Sequence, residues 1–164
     1  MPKYHVRLAR VGEEGAICDI CREGFAVSSE GLLSPATIER QAQLYYNPER
    51  VRREITTAGD TSQWQGYVVA VSDLDEVLGA AGGGVTDGGV GNVYVLYLNP
   101  ALRGHGMGTA LLEFMTKQQR SGPPELLNSG FPLPRATTWA FPSTSRAALW
   151  FASESSTSWL VTEL

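Results

Sequence analysis

Apolar positions follow two rhythms in the first part of this chain. Val6-Arg7-Leu8-Ala9 alternates and predicts a strand. Residues 12–26 then change to helical spacing, carried by Ala16, Ile17, Ile20, Cys21 and Phe25. Ser34 stands before Pro35, a capping residue followed by proline at the first helical position, and predicts a second helix through Ile38, Ala42, Leu44 and Tyr45. That helix should break near Pro48, and a further helical stretch over 48–58 carries Arg50, Arg52 and Arg53. The pattern then turns β-branched. Residues 66–72 (Gly-Tyr-Val-Val-Ala-Val-Ser) predict a strand and Asp73-Leu-Asp-Glu a turn. Residues 76–85 predict the hairpin partner, thinned by glycine. Asp87-Gly-Gly is a second turn signal, and residues 90–98 form the next strand.

Beyond it, residues 108–120 predict a helix with Ala110, Leu111, Phe114 and Met115 on one face. A Pro/Gly/Ser-rich loop follows over 121–134, then a short strand over 136–141 and a helix over 143–153 bearing Ala147, Ala148, Trp150 and Phe151. Trp159-Leu-Val-Thr-Glu-Leu reads as the start of a last strand. The order is mixed α/β, with an antiparallel meander in the middle of the chain.

Composition narrows the class. At 164 residues the chain is read as one domain, 1–164, with 43% apolar residues. A net charge of −4 without any Lys/Arg run argues against nucleic acid as a partner. No apolar run has the length of a membrane span, and the first residues lack the apolar core of a signal peptide, so a cytoplasmic protein is expected. Cys18 and Cys21 form a lone C-x-x-C inside an apolar helical pattern. They read as core residues of a reducing compartment, since His5 and His105 are not placed to complete a metal set.

Residues 103–112 carry the chemistry: Arg-Gly-His-Gly-Met-Gly-Thr-Ala-Leu-Leu, between a predicted strand and a predicted helix. A strand that turns through glycines into a helix leaves backbone N–H groups free at the positive helix end, an anion site. The glycines let the backbone approach a phosphate without a Cβ in the way. The P-loop pattern fails because no lysine follows the glycines. The dinucleotide fingerprint fails because Thr109 stands where its third glycine belongs, and because the preceding strand belongs to a meander.

What fits is Arg-x-x-Gly-x-Gly, formed by Arg103, Gly106 and Gly108 after the strand end Leu96-Tyr97-Leu98-Asn99-Pro100. This stretch resembles the GNAT superfamily of N-acetyltransferases over residues 93–114, and the element order resembles that family over about 4–153. The resemblance implies a mostly antiparallel sheet flanked by helices, with splayed central strands. It implies acetyl-CoA as cosubstrate, its pyrophosphate held by the backbone of Arg103, Gly104, His105, Gly106, Met107, Gly108 and Thr109. Backbone groups of Tyr97 and Leu98 would meet the pantetheine arm. A primary amine, on a small molecule or a protein, would attack the thioester directly. His105 occupies the variable position of the motif and is expected to be solvated.

The chain departs from the family at three places. Asn92 stands where many members carry a glutamate base, and asparagine takes no proton at neutral pH. In the run Thr144-Ser-Arg-Ala-Ala-Leu-Trp-Phe151, Phe151 stands at the position of a tyrosine acid and Thr144 at that of an asparagine. Ser155-Ser-Thr-Ser-Trp159 replaces the usual Gly-Phe turn, so the C-terminus reads as shortened, and an open sheet edge there suggests a homodimer. No catalytic residue is assigned. Strand alternation would put Tyr94 and Tyr97 on opposite faces. Tyr45 and Tyr46 lie in the acceptor-side region, and Arg50, Arg52 and Arg53 read as a solvated helix face. The alternative to a transferase is a non-catalytic acyl-CoA-binding or sensor module of the same fold.

Overall fold

The computed structural model describes residues 3–86, 90–102 and 104–121. Its elements are β1 (Tyr4–Leu8), α1 (Glu14–Ser29), α2 (Pro35–Tyr45), α3 (Pro48–Thr56), β2 (Tyr67–Ser72), β3 (Val77–Thr86), β4 (Val90–Leu98), a short 3-10 turn (Pro100–Leu102) and α4 (Met107–Arg120). The four strands form one antiparallel sheet in the order β1-β2-β3-β4. The mixed α/β reading therefore holds for the described residues. The expected turn at 87–89, Arg103 and every element expected beyond 121, Phe151 and the shortened C-terminus included, lie outside them. So does the strand from which β4 was expected to splay.

Local chemistry explains the boundaries. Ser34 caps α2 by accepting from the Thr37 N–H, and Asn47 caps α3 by accepting from the Arg50 N–H, each with proline at the first helical position. Helix α1 starts two residues later and ends three residues later than the apolar spacing implied, because Glu13 is its cap and Ser29 its last buried turn.

The sheet is covered on both faces. Ile17, Cys18, Cys21, Phe25, Ala42, Tyr46 and Val51 from α1–α3 pack on Tyr67, Val69, Val71, Val95 and Tyr97. On the opposite face, Met107, Leu111 and Met115 of α4 pack on Val68, Ala70, Ala81 and Val93. Burial on both sides explains why β2 is a continuous apolar run. The glycines of β3 let neighbours approach closely. A Cβ built at Gly84 would overlap the Gln63 backbone, and one at Gly83 would overlap Asn92 O and crowd Met115.

One irregularity matters for function. The β3–β4 register shifts between Gly82 and Gly83, so Gly82 faces Val95 while Gly83 faces Val93. Tyr94 is the extra residue of a β-bulge. Val93 consequently packs on the α4 face, whereas Val95 and Tyr97 pack on the α1–α3 face. Tyr94 packs there too. The expectation that Tyr94 and Tyr97 point to opposite faces is thus overturned. Alternation holds only in an unbroken strand, and the bulge resets it by one residue.

Candidate functional site

The described part of the glycine loop enters α4 through two residues in the left-handed region, Gly104 at φ 83° and Gly106 at φ 76°. Only glycine adopts these values without strain. A Cβ at Gly104 would meet nothing within 4 Å, so this backbone faces open space. Gly106 is the N-cap of α4, and no side chain caps that helix. The first intrahelical bond runs from the Ala110 N–H to Gly106 O at 3.0 Å. The N–H groups of Met107, Gly108 and Thr109 therefore have no carbonyl within the helix, and they lie at its positive end. Met107 is buried and anchors the helix start, while Gly108 is half-buried and Thr109 exposed. His105 is half-buried rather than fully solvated, and Tyr4 of β1 donates its hydroxyl to His105 O at 3.4 Å.

Beside the loop runs the outer edge of β4. The Asn99 N–H bonds to Leu78 O at 3.0 Å, on the β3 side. Antiparallel alternation then turns the backbone groups of Tyr97 toward β3 and those of Leu98 and Leu96 away from it. Leu98 thus presents its N–H at the edge next to the glycine loop. Tyr97 contributes a ring instead.

That ring belongs to an aromatic wall on the α1–α3 face. Tyr97 meets Tyr46 edge-on at 5.9 Å, and Tyr46 meets Phe25 at 6.2 Å. Gly24 of α1 makes this possible, since a Cβ there would overlap the Tyr97 ring. Burial pushes the Tyr46 and Tyr97 hydroxyls above the usual tyrosine range, and hydrogen bonds from Tyr46 and Ser28 partly offset that at Tyr97. Trp64 stacks on Tyr94 at 6.5 Å and meets Tyr67 edge-on at 5.1 Å.

A polar cluster supports the wall. Glu54 accepts from Arg50 Nε at 2.8 Å and from the Tyr67 hydroxyl at 3.1 Å, while its backbone oxygen accepts from Trp64 Nε1 at 2.7 Å. Arg50 lies over the Tyr45 ring at 5.1 Å. Arg52 pairs with Glu14 at 3.3 Å. Arg52 and Arg53 are exposed, as a solvated helix face implies, while Arg50 is half-buried between Tyr45 and Glu54.

Asn92 lies on the same strand as Tyr94, two residues before it. Its amide donates to Val90 O at 2.9 Å and to Thr86 Oγ1 at 3.2 Å. The NH2 group is thus held by the hairpin, and Oδ1 is left as an acceptor without a charge. Cys18 and Cys21 are buried free thiols. Desolvation pushes Cys18 up to about 11 and Cys21 well above the usual thiol range, so neither is a nucleophile at neutral pH. Among the described residues no group of three His, Cys, Asp or Glu is placed to hold a metal, and no helix is long and apolar enough to cross a membrane.

The sequence reading missed Tyr4, Trp64, Glu54 and Gln119. Their contacts span from 10 to 101 positions, and no local pattern signals such pairs. The glycines at 82–84 were the available hint, since a strand stripped of side chains marks where bulky neighbours press.

Comparison with known proteins agrees with this geometry. The family model described as Acetyltransferase (GNAT) family matches residues 35–121, more than half of the chain. No curated protein matches the chain in sequence. Among solved structures, the PaiA N-acetyltransferase of Thermoplasma acidophilum in complex with coenzyme A superposes with a TM-score of 0.62 at 17% identity, covering 76% of this chain and 85% of that one. A GCN5-related N-acetyltransferase from Rhodopseudomonas palustris gives 0.54 at 16% identity over 73% and 67%. A Mycobacterium tuberculosis protein in complex with CoA gives 0.50 at 22% identity over 71% and 57%. At these identities the likeness concerns the fold.

Proposed function

Since the chain belongs to the GNAT acetyltransferase family, we propose that it moves an acetyl group from acetyl-CoA to a primary amine of a small molecule or a protein. The observation that carries this reading is the start of α4, whose first N–H groups have no carbonyl partner within the helix, beside β4, the last strand of the sheet among the described residues. Acetyl-CoA fits there on physical grounds. Gly104 and Gly106 hold a backbone without side chains in front of it, and free N–H groups at a helix start suit a pyrophosphate.

In this reading Met107, Gly108 and Thr109 bind the pyrophosphate through their N–H groups, helped by Gly104, His105 and Gly106 and by Arg103. The Leu98 N–H, at the edge of β4, donates to the thioester oxygen and stabilises the negative charge that develops on it. The amine nitrogen attacks the carbonyl carbon and a C–N bond forms. The C–S bond then breaks, with its electron pair leaving on sulfur as CoA thiolate. Asn92 Oδ1 accepts a hydrogen bond from the amine N–H and orients it, but takes no proton. The acceptor must therefore reach the site as free amine, and its proton passes to solvent after attack. Holding both reactants supplies much of the rate. The same reading takes the protein as a cytoplasmic homodimer, which light scattering at micromolar concentration checks by mass.

Asn92 also favours a second reading, a module that binds acyl-CoA without turnover. Calorimetry with acetyl-CoA and a thiol-release screen against a panel of amines separate the two. Binding with CoA release supports the transferase, and binding without release for any amine supports the module. No binding at millimolar acetyl-CoA overturns both.

A further inference from the structure

Helix α4 lies along β4 and touches both of its ends. Near its start, a Cβ built at Gly108 would sit 3.3 Å from Leu98 Cδ1. Near its end, Gln119 Nε2 donates to Asn92 O at 2.9 Å and to Gly84 O at 3.3 Å. Gly84 and Asn92 face each other across the β3–β4 ladder, one pair before the bulge at Tyr94. The glutamine amide thus ties α4 to one carbonyl of each strand, beside the bulge. Its place is prepared by glycine, since a Cβ at Gly91 would overlap Gln119 Oε1. With 14 residues, α4 is about 21 Å long and spans the stretch between the loop and the bulge.

We infer that Gln119 is a positioning residue: it locks the far end of α4 to the bulge of β4, and so fixes the spacing between the N–H groups at the helix start and the edge of β4 that meets the thioester. This rests on the acetyl-CoA reading above. Gln118 is the built-in control. It comes from the same turn and donates to Gln65 O at 2.7 Å, so it clamps the helix to the chain before β2 with no bond of its own to β3 or β4. A merely structural clamp at either residue should behave alike. A positioning role belongs to Gln119 alone.

The test titrates the wild type, Gln119→Leu and Gln118→Leu with CoA and with acetyl-CoA, by calorimetry and by 15N amide spectra. CoA affinity stays within about twofold in all three, because the N–H groups of the loop are untouched. In the wild type the amide shifts of Val95, Leu96, Tyr97 and Leu98 differ between the two ligands. That difference collapses in Gln119→Leu and persists in Gln118→Leu. Gln119→Lys, which restores a donor to the two carbonyls, brings it back. A Gln119→Leu protein that keeps the wild-type difference overturns the inference while leaving the transferase reading intact. A wild type that binds neither ligand overturns the transferase reading itself. If Gln119→Leu fails to fold by thermal melting, Gln119→Glu, which keeps the shape and loses the donor, takes its place with the same expected collapse.

Discussion

In the proposed site the groups offered on the α4 side of the sheet belong to the backbone, whereas those on the α1–α3 side are side chains. The loop at 104–109 offers N–H groups freed by a helix start and by glycines of positive φ. The opposite wall offers Tyr46, Tyr97, Trp64, Tyr94 and Asn92, held by packing and by the Glu54 cluster. A backbone site recognises what every acyl-CoA shares. A side-chain site is free to vary with the acceptor.

The largest expected effect breaks the backbone half alone. Gly106→Glu places a carboxylate at a residue of φ 76° and in front of the N–H groups. Strain and like-charge repulsion together should weaken CoA binding by at least about 100-fold, read by calorimetry. The aromatic wall is on the other face of the sheet, so its near-UV dichroism should stay unchanged.

Next is the side-chain half. Gly24→Ala adds a methyl into the Tyr97 ring, and overpacking of this kind costs about 1–3 kcal/mol. Denaturant unfolding reads it. A loss of unfolding free energy below about 0.5 kcal/mol would mean that the Tyr97 ring has room to move, and the wall is softer than its geometry implies.

The two halves were also unequally legible. The loop could be read because each of its requirements is local: an arginine, glycines at fixed spacing, a strand before and a helix after. The cap Ser34 and the bounds of β4 followed from the same local chemistry. The wall could not be read. The side on which Tyr94 lies depends on a single extra residue in β4, and the bulge is a property of the β3–β4 pair and not of either strand. Arg50 looked solvated because its helix is strongly charged, yet Tyr45 and Glu54 engage it. Alternation and helical spacing report one element at a time, whereas the aromatic wall is made of meetings between elements.

A third outcome concerns proton transfer across that wall. With Asn92 neutral, the rate depends on the fraction of free amine, so log(kcat/KM) should rise by one per pH unit up to the pKa of the acceptor. Asn92→Glu supplies a base on the same strand position. It should raise the rate at pH 7 by about tenfold and flatten the alkaline rise. An unchanged profile would place the attacking amine away from Asn92.

The buried thiols give a smaller, pH-dependent effect. Cys18 is raised by desolvation from the ordinary 9.0 to about 11 in the folded protein. Below pH 9 the thiol is neutral in both states. Between 9 and 11 the unfolded chain ionises first, so stability falls as pH rises through that window. Cys18→Ala should flatten the decline, and neither Cys18 nor Cys21 should react with a disulfide reagent at pH 8 until the protein is unfolded.

The smallest effect uses the two glycines of α1 as a pair. Gly24 is buried against Tyr97, while Gly15 is exposed, and a Cβ there meets nothing within 4 Å. Neither has a positive φ. Gly15→Ala therefore adds no contact and removes only the extra freedom of glycine in the unfolded chain, which should stabilise the protein by about 0.4–1 kcal/mol. The same substitution nine residues later should destabilise it. Opposite signs in one helix would isolate the approach of Tyr97 from helix propensity as the reason for glycine at 24. Equal signs would assign both glycines to propensity and remove the argument that α1 was shaped around the wall.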